Sequence, residues 1–434
     1  MKKTVWLFGF WFLMFATPVW ASIYIVVDQP QEKKFPIAVP DFVSIERGGE
    51  TKNWSEKLPE LLRHDLEIAG FFDLMSEDSF PSEDHKNFAP EKINFAAWNL
   101  IGTQALVKGA YSVKKDLVTV EMRLFDPALG KQLVGHRYTS KPDEMSVIAH
   151  HFVDEIILAL TGERGPFSTQ IAYVGFSGKH KELFTTDIDG GNNRPLTSLK
   201  SITLSPSWDP TGTRLVFSSY VNGSPELHTI SGRGGKPQRL TNSHSIIITP
   251  IWMRDGSGII ASTSVGDEDE DLWLFNLQGG RVRKLTDSYG IDLNPSWSPD
   301  GSQFVFASER EGHLHIFRAD ANGQNVQRLT FVGHHNDNPE WSPKGDKIVF
   351  QGRDEGVFDI FVMNTDGSMI QRLTAGSGNN ENPSWAPNGR YIAFSSTRSG
   401  KNQIMVMMSD GANQMSILQK GGGIHPSWSP WLAK

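Results

Sequence analysis

Six times in its second half the chain repeats a short pattern, Pro-x-Trp followed by a turn, with Trp at 208, 252, 297, 341, 385 and 428. The successive gaps are 44, 45, 44, 44 and 43 residues, the length of one four-stranded blade of a β-propeller. One unit reads as four strands, A to D: Asn338-Pro-Glu-Trp341, Lys347-Ile-Val-Phe350, Asp359-Ile-Phe-Val-Met363 and Gln371-Arg-Leu-Thr374. Pro343-Lys-Gly345 turns A into B and Asp366-Gly367 turns C into D, because proline fixes φ and glycine accepts the left-handed position. The first unit has B, C and D (171–174, 182–185 and 195–197) but no Pro-x-Trp ahead of it, whereas the last, around Trp428, has only A. An open solenoid would begin and end with whole, capped units. Two complementary fragments instead predict a closed six-bladed β-propeller over 170–434, its closing blade built from both ends of that domain. Closure removes the sheet edges that invite aggregation. The six Trp are expected to pack between blades rather than stack on a sugar or cofactor.

Residues 34–161 lack the repeat and mix helix with strand, which predicts a small α/β N-terminal domain. Leu58, Leu61, Leu62, Leu66 and Ala69 share one helical face that Gly70 can end. Three consecutive strands follow at 105–113, 117–125 and 131–138. A last helix over 144–160 carries Val147, Ile148, Phe152, Ile156, Ile157 and Leu160, and a linker, 162–169, leads into the ring. At the start, Lys2 and Lys3 precede an uncharged run, and Val19 and Ala21 stand before Ser22 in the manner of a cleavage site. Residues 1–21 are therefore expected to be a cleaved signal peptide rather than a membrane anchor, and 22–33 a flexible partner-binding segment.

Composition narrows the chemistry. The formal charge of -7 speaks against nucleic acid as the main partner. The absence of cysteine removes disulfides, thiolate metal sites and a cysteine nucleophile. The acidic run 267–271 has Leu272 where a calcium loop needs glycine. His150-His151 and His334-His335 are adjacent rather than four apart as in a helical zinc pair, so they are expected to be structural or exposed. No cofactor or metal is expected.

Strands alternate in direction, so the D-to-A and B-to-C connections share one face of the ring. Just before Pro-x-Trp, the segments Asp292-Leu293-Asn294, Asn336-Asp337-Asn338 and Asn380-Glu381-Asn382 converge on the channel entrance. Their amides and carboxylates read as turn caps before proline, or as a ring that receives a segment of another protein. A competing reading is a channel-mouth enzyme acting on glycans through Asp292, Asp337 and Glu381.

Ser296-Trp-Ser-Pro-Asp-Gly301 and its copies, Ala149-His-His-Phe-Val-Asp154, Leu160-Thr-Gly-Glu-Arg-Gly-Pro-Phe167 and the terminal Pro426-Ser-Trp-Ser-Pro-Trp431 together give a specific likeness. Through them the chain resembles the TolB family, periplasmic propellers of the Tol-Pal system, over nearly its whole mature length. The resemblance implies a non-enzymatic adaptor that docks the lipoprotein Pal on the propeller mouth, associates peripherally with the outer membrane through it, and supports membrane integrity and invagination during cell division. By position, the Pal-facing residues would be Ile246, Thr249, Asp292, Leu293, Asn294, Asp337, Asn338, Glu381 and Asn382. Ile246 and Leu293 are apolar, where the family suggests polar side chains. Ser22, Ile23, Tyr24, Ile25, Val26, Val27 and Asp28 would engage the C-terminal domain of TolA or fold back on the protein. Neither nucleic acid nor a small-molecule substrate is expected as a partner.

Overall fold

A computed structural model describes residues 34–45, 54–84, 86–242, 245–264, 269–353, 356–376, 378–418 and 421–432. The expected signal peptide and the 22–33 segment, with all seven residues expected to engage TolA, lie outside the described residues. Among the described residues no helix is long and apolar enough to cross a membrane.

Six four-stranded antiparallel sheets carry the Pro-x-Trp repeats, and each repeat's Trp ends its strand A. In order, these strands are Gly423–Trp428 (blade 1), Thr203–Trp208, Ile247–Trp252, Asp292–Trp297, His335–Trp341 and Asn380–Trp385 (blade 6). Each packs on the next, and the sixth packs on the first. The ring closes where the end of the chain meets strand B of blade 1, Ile171–Ser177, with Trp428 opposite Ile171 and Ile424 opposite Val174. Two bonds latch this junction: Ser429 N donates to Gln170 O at 2.8 Å, and Gln170 N donates to Ser429 Oγ at 3.0 Å.

Strand D is shorter than the pattern Gln-Arg-Leu-Thr suggests, only two residues in five blades. In four of those five blades, and in blade 3 whose strand D keeps four residues, a threonine two positions on marks where the strand stops. In five blades its hydroxyl takes a backbone N–H of strand C, as Thr374 Oγ1 does from Ile360 N at 3.0 Å and Thr330 Oγ1 from Ile316 N at 2.9 Å. A side chain thus replaces a ladder carbonyl and ends the outer strand.

The N-terminal domain contains β1 (Phe35–Ala38), β2 (Val43–Ser44), α1 (Trp54–Ala69), β3 (Phe72–Leu74), α2 (Phe95–Leu100), β4 (Ala105–Lys114), β5 (Leu117–Asp126), β6 (Lys131–Ser140) and α3 (Met145–Thr161). Its sheet runs β3-β1-β4-β5-β6, with β1 parallel to both neighbours and the last three strands antiparallel. Val118, Val120, Met122 and Leu124, alternating along β5, join Leu58, Leu62 and Leu66 of α1 and Phe152 and Ile156 of α3 in one core. Val147, placed on the apolar stripe from sequence, is exposed.

That core continues into the propeller through Ile171, Tyr391, Ile404 and Val406. Gly70 ends α1 with φ +79°, and a Cβ there would stand 2.9 Å from Met408 Sδ. The freed carbonyls of the helix end find donors across the domain boundary. Tyr391 Oη donates to Ala69 O at 2.9 Å, and Asn413 Nδ2 to Ile68 O at 3.0 Å. The 162–169 segment is tied down too. Asp154 accepts the N–H groups of Phe167 and Ser168, each at 2.9 Å, and Glu163 pairs with Arg390 and with Lys344 at 3.2 Å.

Candidate functional site

The channel is built by one recurring irregularity. In every strand A the residue before proline has positive φ: Ser205 (50°), Thr249 (49°), Asn294 (50°), Asn338 (48°), Asn382 (54°) and His425 (50°). A pre-proline residue ordinarily stays extended, and a non-glycine residue with positive φ costs on the order of 1–3 kcal/mol. Asparagine, the residue that tolerates this region best, holds three of the six places. Ladder register slips at the same point in all six blades, between Leu293 and Ser296 for example, which is a β-bulge.

Residues from the bulge onward line a cavity of about 670 Å³ along the axis. Thr249, Asn294, Asn338 and Asn382 meet there, as anticipated, together with Ser205 and His425, which sequence reasoning passed over. Their signal was present: each stands three residues before a repeat Trp. The Trp side chains bound the cavity but are only 4–8% exposed. Three indole N–H groups bond to the preceding strand A: Trp208 to Ser427 O, Trp252 to Ser207 O and Trp385 to Glu340 O, at 3.1, 3.2 and 3.1 Å. The side chain before Trp accepts from the backbone N–H of the next blade's Trp at Ser296, Glu340 and Ser384. The six Trp are interblade packing.

One position before the bulge, Leu204, Ile248, Leu293 and Ile424 are apolar whereas Asp337 and Glu381 are acidic. Blades 5 and 6 therefore hold the negative sector. Asp337 Oδ1 accepts from Asn294 Nδ2 at 2.7 Å and from Asn338 N at 2.6 Å, so it is held in place. Burial, reinforced by neighbouring Asp337, raises the Glu381 carboxyl above its ordinary range. Deeper in the channel, burial pushes Glu340 up to about 7 although it accepts from Trp385 N, and pushes His425 down to about 4. At neutral pH His425 is uncharged.

Asp292 is corrected by the structure. It is 0% exposed, and its carboxylate accepts from Arg310 Nη2 at 3.0 and 3.3 Å and from Ser288 Oγ at 3.3 Å. The bulge after Leu293 breaks the alternation that would put it on the same side as Asn294, so it holds blade 4 together and presents nothing to a partner or a glycan. Leu293 is half-buried, and Ile246, 42% exposed, stands on a D-to-A connection. Ile246 has company there. Ile202, Tyr289, Phe331 and Val332 are exposed on the equivalent connections, the last three by 87%, 71% and 73%. Large apolar side chains in water around a polar well are the chemistry of an interaction face.

The profile of the TolB amino-terminal domain matches residues 23–133, and that of the TolB beta propeller domain matches 158–432. A protein of Geobacter metallireducens described as Tol-Pal system protein TolB is 38% identical over 164 residues, 38% of either chain. One of Syntrophus aciditrophicus with the same description is 32% identical over 197 residues, 44% of either chain. The chain thus spans less than half the length of these curated relatives. In three dimensions it is similar to the crystal structure of TolB from Acinetobacter baumannii, with a TM-score of 0.79 and 24% identity over 92% of this chain and 97% of that one. That likeness establishes the shared fold, and the two profile matches establish descent: the chain belongs to the TolB family.

Proposed function

We propose that this protein is a periplasmic adaptor of the Tol-Pal system that acts by binding rather than catalysis. The soluble domain of Pal docks on the D-to-A face of the propeller, and residues 22–28 engage TolA. The observation that carries the reading is the composition of that face: exposed Ile202, Ile246, Tyr289, Phe331 and Val332 on the D-to-A connections, a channel lined by the bulge residues Asn294, Asn338 and Asn382, and Asp337 and Glu381 one position before the bulge. An inserted loop would bury its apolar side chains against the exposed apolar residues and satisfy its backbone groups on Asn294, Asn338 and Asn382. The β-branched run Ile23-Tyr24-Ile25-Val26-Val27 suits addition as a strand to a partner's sheet.

Pal in the channel favours a sequestered N-terminal segment, and its release frees that segment for TolA. Such coupling is reciprocal, so each partner must weaken the other by the same factor. Calorimetric titration of the mature protein with the soluble domain of Pal, with and without the C-terminal domain of TolA, tests both statements. Expected is one Pal per chain and equal mutual weakening. Absence of Pal binding refutes the docking, and independent affinities refute the switch.

A further inference from the structure

Far from the channel entrance, four titratable side chains from three separate elements meet inside the boundary between the domains. Asp65 comes from α1, His150 from α3, and Asp187 and Asp189 from the C-to-D turn of blade 1. His150 is 2% exposed and the three carboxylates are buried or nearly so. Asp65 Oδ2 stands 2.7 Å from His150 Nδ1 and fixes the ring. The other ring nitrogen, Nε2, is buried and has no hydrogen-bond partner. It points at Asp187 Oδ2, 3.5 Å away, and at Asp189 Oδ1, 3.7 Å away.

Those separations match neither a good hydrogen bond nor empty space. Ligands at about 2.0–2.2 Å from a tetrahedral zinc lie roughly 3.4 Å from one another, close to both nitrogen–oxygen separations, and Asp65, His150 and Asp189 each bring one ligand atom within 4.8 Å of the other two. A ring nitrogen held by a carboxylate while the other nitrogen faces further ligands is the arrangement of metal-binding histidines, whose tautomer that carboxylate sets. Apart from the His150 ring itself, only uncharged groups serve the two turn carboxylates: Asn192 Nδ2 donates to Asp187 Oδ2 at 2.6 Å, Gln170 Nε2 to Asp187 Oδ1 at 3.4 Å, and Gly191 N to Asp189 Oδ1 at 2.8 Å. Among the described residues no lysine or arginine pairs with Asp65, Asp187 or Asp189, and His64, next to Asp65, is exposed. Buried negative charge of this kind calls for a cation.

We propose that His150 Nε2 and the carboxylates of Asp187 and Asp189 bind one divalent cation of the zinc class, with Asp65 orienting the imidazole. The donor set decides the class. One imidazole with two carboxylates suits zinc and its neighbours, whereas calcium asks for six to eight oxygens. The ion joins α3 to blade 1, the blade that closes the ring, and so fixes one domain on the other. Adjacent His150-His151 conceals the site in the sequence because its ligands are gathered by tertiary packing.

The test is titration of the chelator-treated mature chain with Zn2+ in competition with a chromophoric chelator, in excess Mg2+. Expected is one Zn2+ per chain that Mg2+ does not displace. Asp187→Asn and Asp189→Asn weaken it at least tenfold, and Asp65→Asn weakens it by about 10–100-fold. Replacing His313 and His334, whose rings meet edge to face elsewhere at 5.7 Å, leaves it unchanged. The native-chain titration needs no variant to fold. Failure of the native chain to take up Zn2+, affinity unaltered in Asp189→Asn, or loss on replacing His313 and His334 overturns the proposal and leaves a protonated imidazole among carboxylates.

Discussion

Trp428→Ala removes the side chain on which closure of the ring depends. Trp428 is 6% exposed, its indole N–H donates to Thr169 Oγ1 at 2.8 Å, and its backbone N–H donates to Ser384 Oγ at 3.0 Å. A buried tryptophan hides about 150–250 Å², which at about 25 cal/mol per Å² gives roughly 4–6 kcal/mol. A compact unfolded chain lowers that figure, and tryptophan truncations in cores run about 3–5 kcal/mol. A loss of about 3–5 kcal/mol is therefore expected. Three residues on, Trp431 is half-buried and contributes a cation–π contact with Arg164 at 4.5 Å, so Trp431→Ala is expected to lose only about 1 kcal/mol. Urea unfolding of both variants, followed by far-UV circular dichroism, measures the difference. Equal losses, or a loss below about 1 kcal/mol for Trp428→Ala, would refute the inference that the end of the chain locks the sheet begun at Ile171.

Glu340 supplies a pH dependence. Burial raises its folded pKa from 4.5 to about 7, so the folded state holds this proton more tightly than the unfolded one. The contribution is full below about pH 4.5 and declines as pH rises toward 7, by on the order of 3 kcal/mol. Glu340→Gln is expected to flatten that decline in stability measured between pH 5 and 8 (roughly the window set by the shift), and an unchanged slope would exclude Glu340 as its source. Asp292→Asn leaves the Arg310 charge without its partner and is expected to cost about 2–3 kcal/mol in unfolding experiments, below the range for a fully buried pair because Arg310 is partly exposed. Asp337→Asn, at the entrance, is expected to weaken Pal binding while moving stability by less than about 1 kcal/mol.

The ring was legible because a large aromatic and a proline recur at blade spacing, and because the two incomplete units complement each other. Period-2 burial along β5 and the helical stripe of α1 were legible for the same reason: local pattern and global packing agree. The bulge was not. Proline suggests an extended neighbour, yet all six pre-proline residues take positive φ, at the point where the ladder register shifts. This is why Asp292, two residues before Asn294, was assigned to the entrance but lies against Arg310. The exposure of Tyr289, Phe331 and Val332 was equally hidden, since an apolar residue in a loop carries no signature of its orientation.

Hydrogen–deuterium exchange of the mature protein with and without the soluble domain of Pal addresses the docking face most directly. Slowed exchange is expected in the D-to-A segments 200–205, 245–249, 287–294 and 331–338, with the A-to-B turns at 209–213, 298–302 and 342–346 unchanged. Protection confined to those turns, or none at all with Pal bound, would contradict the assignment of that face.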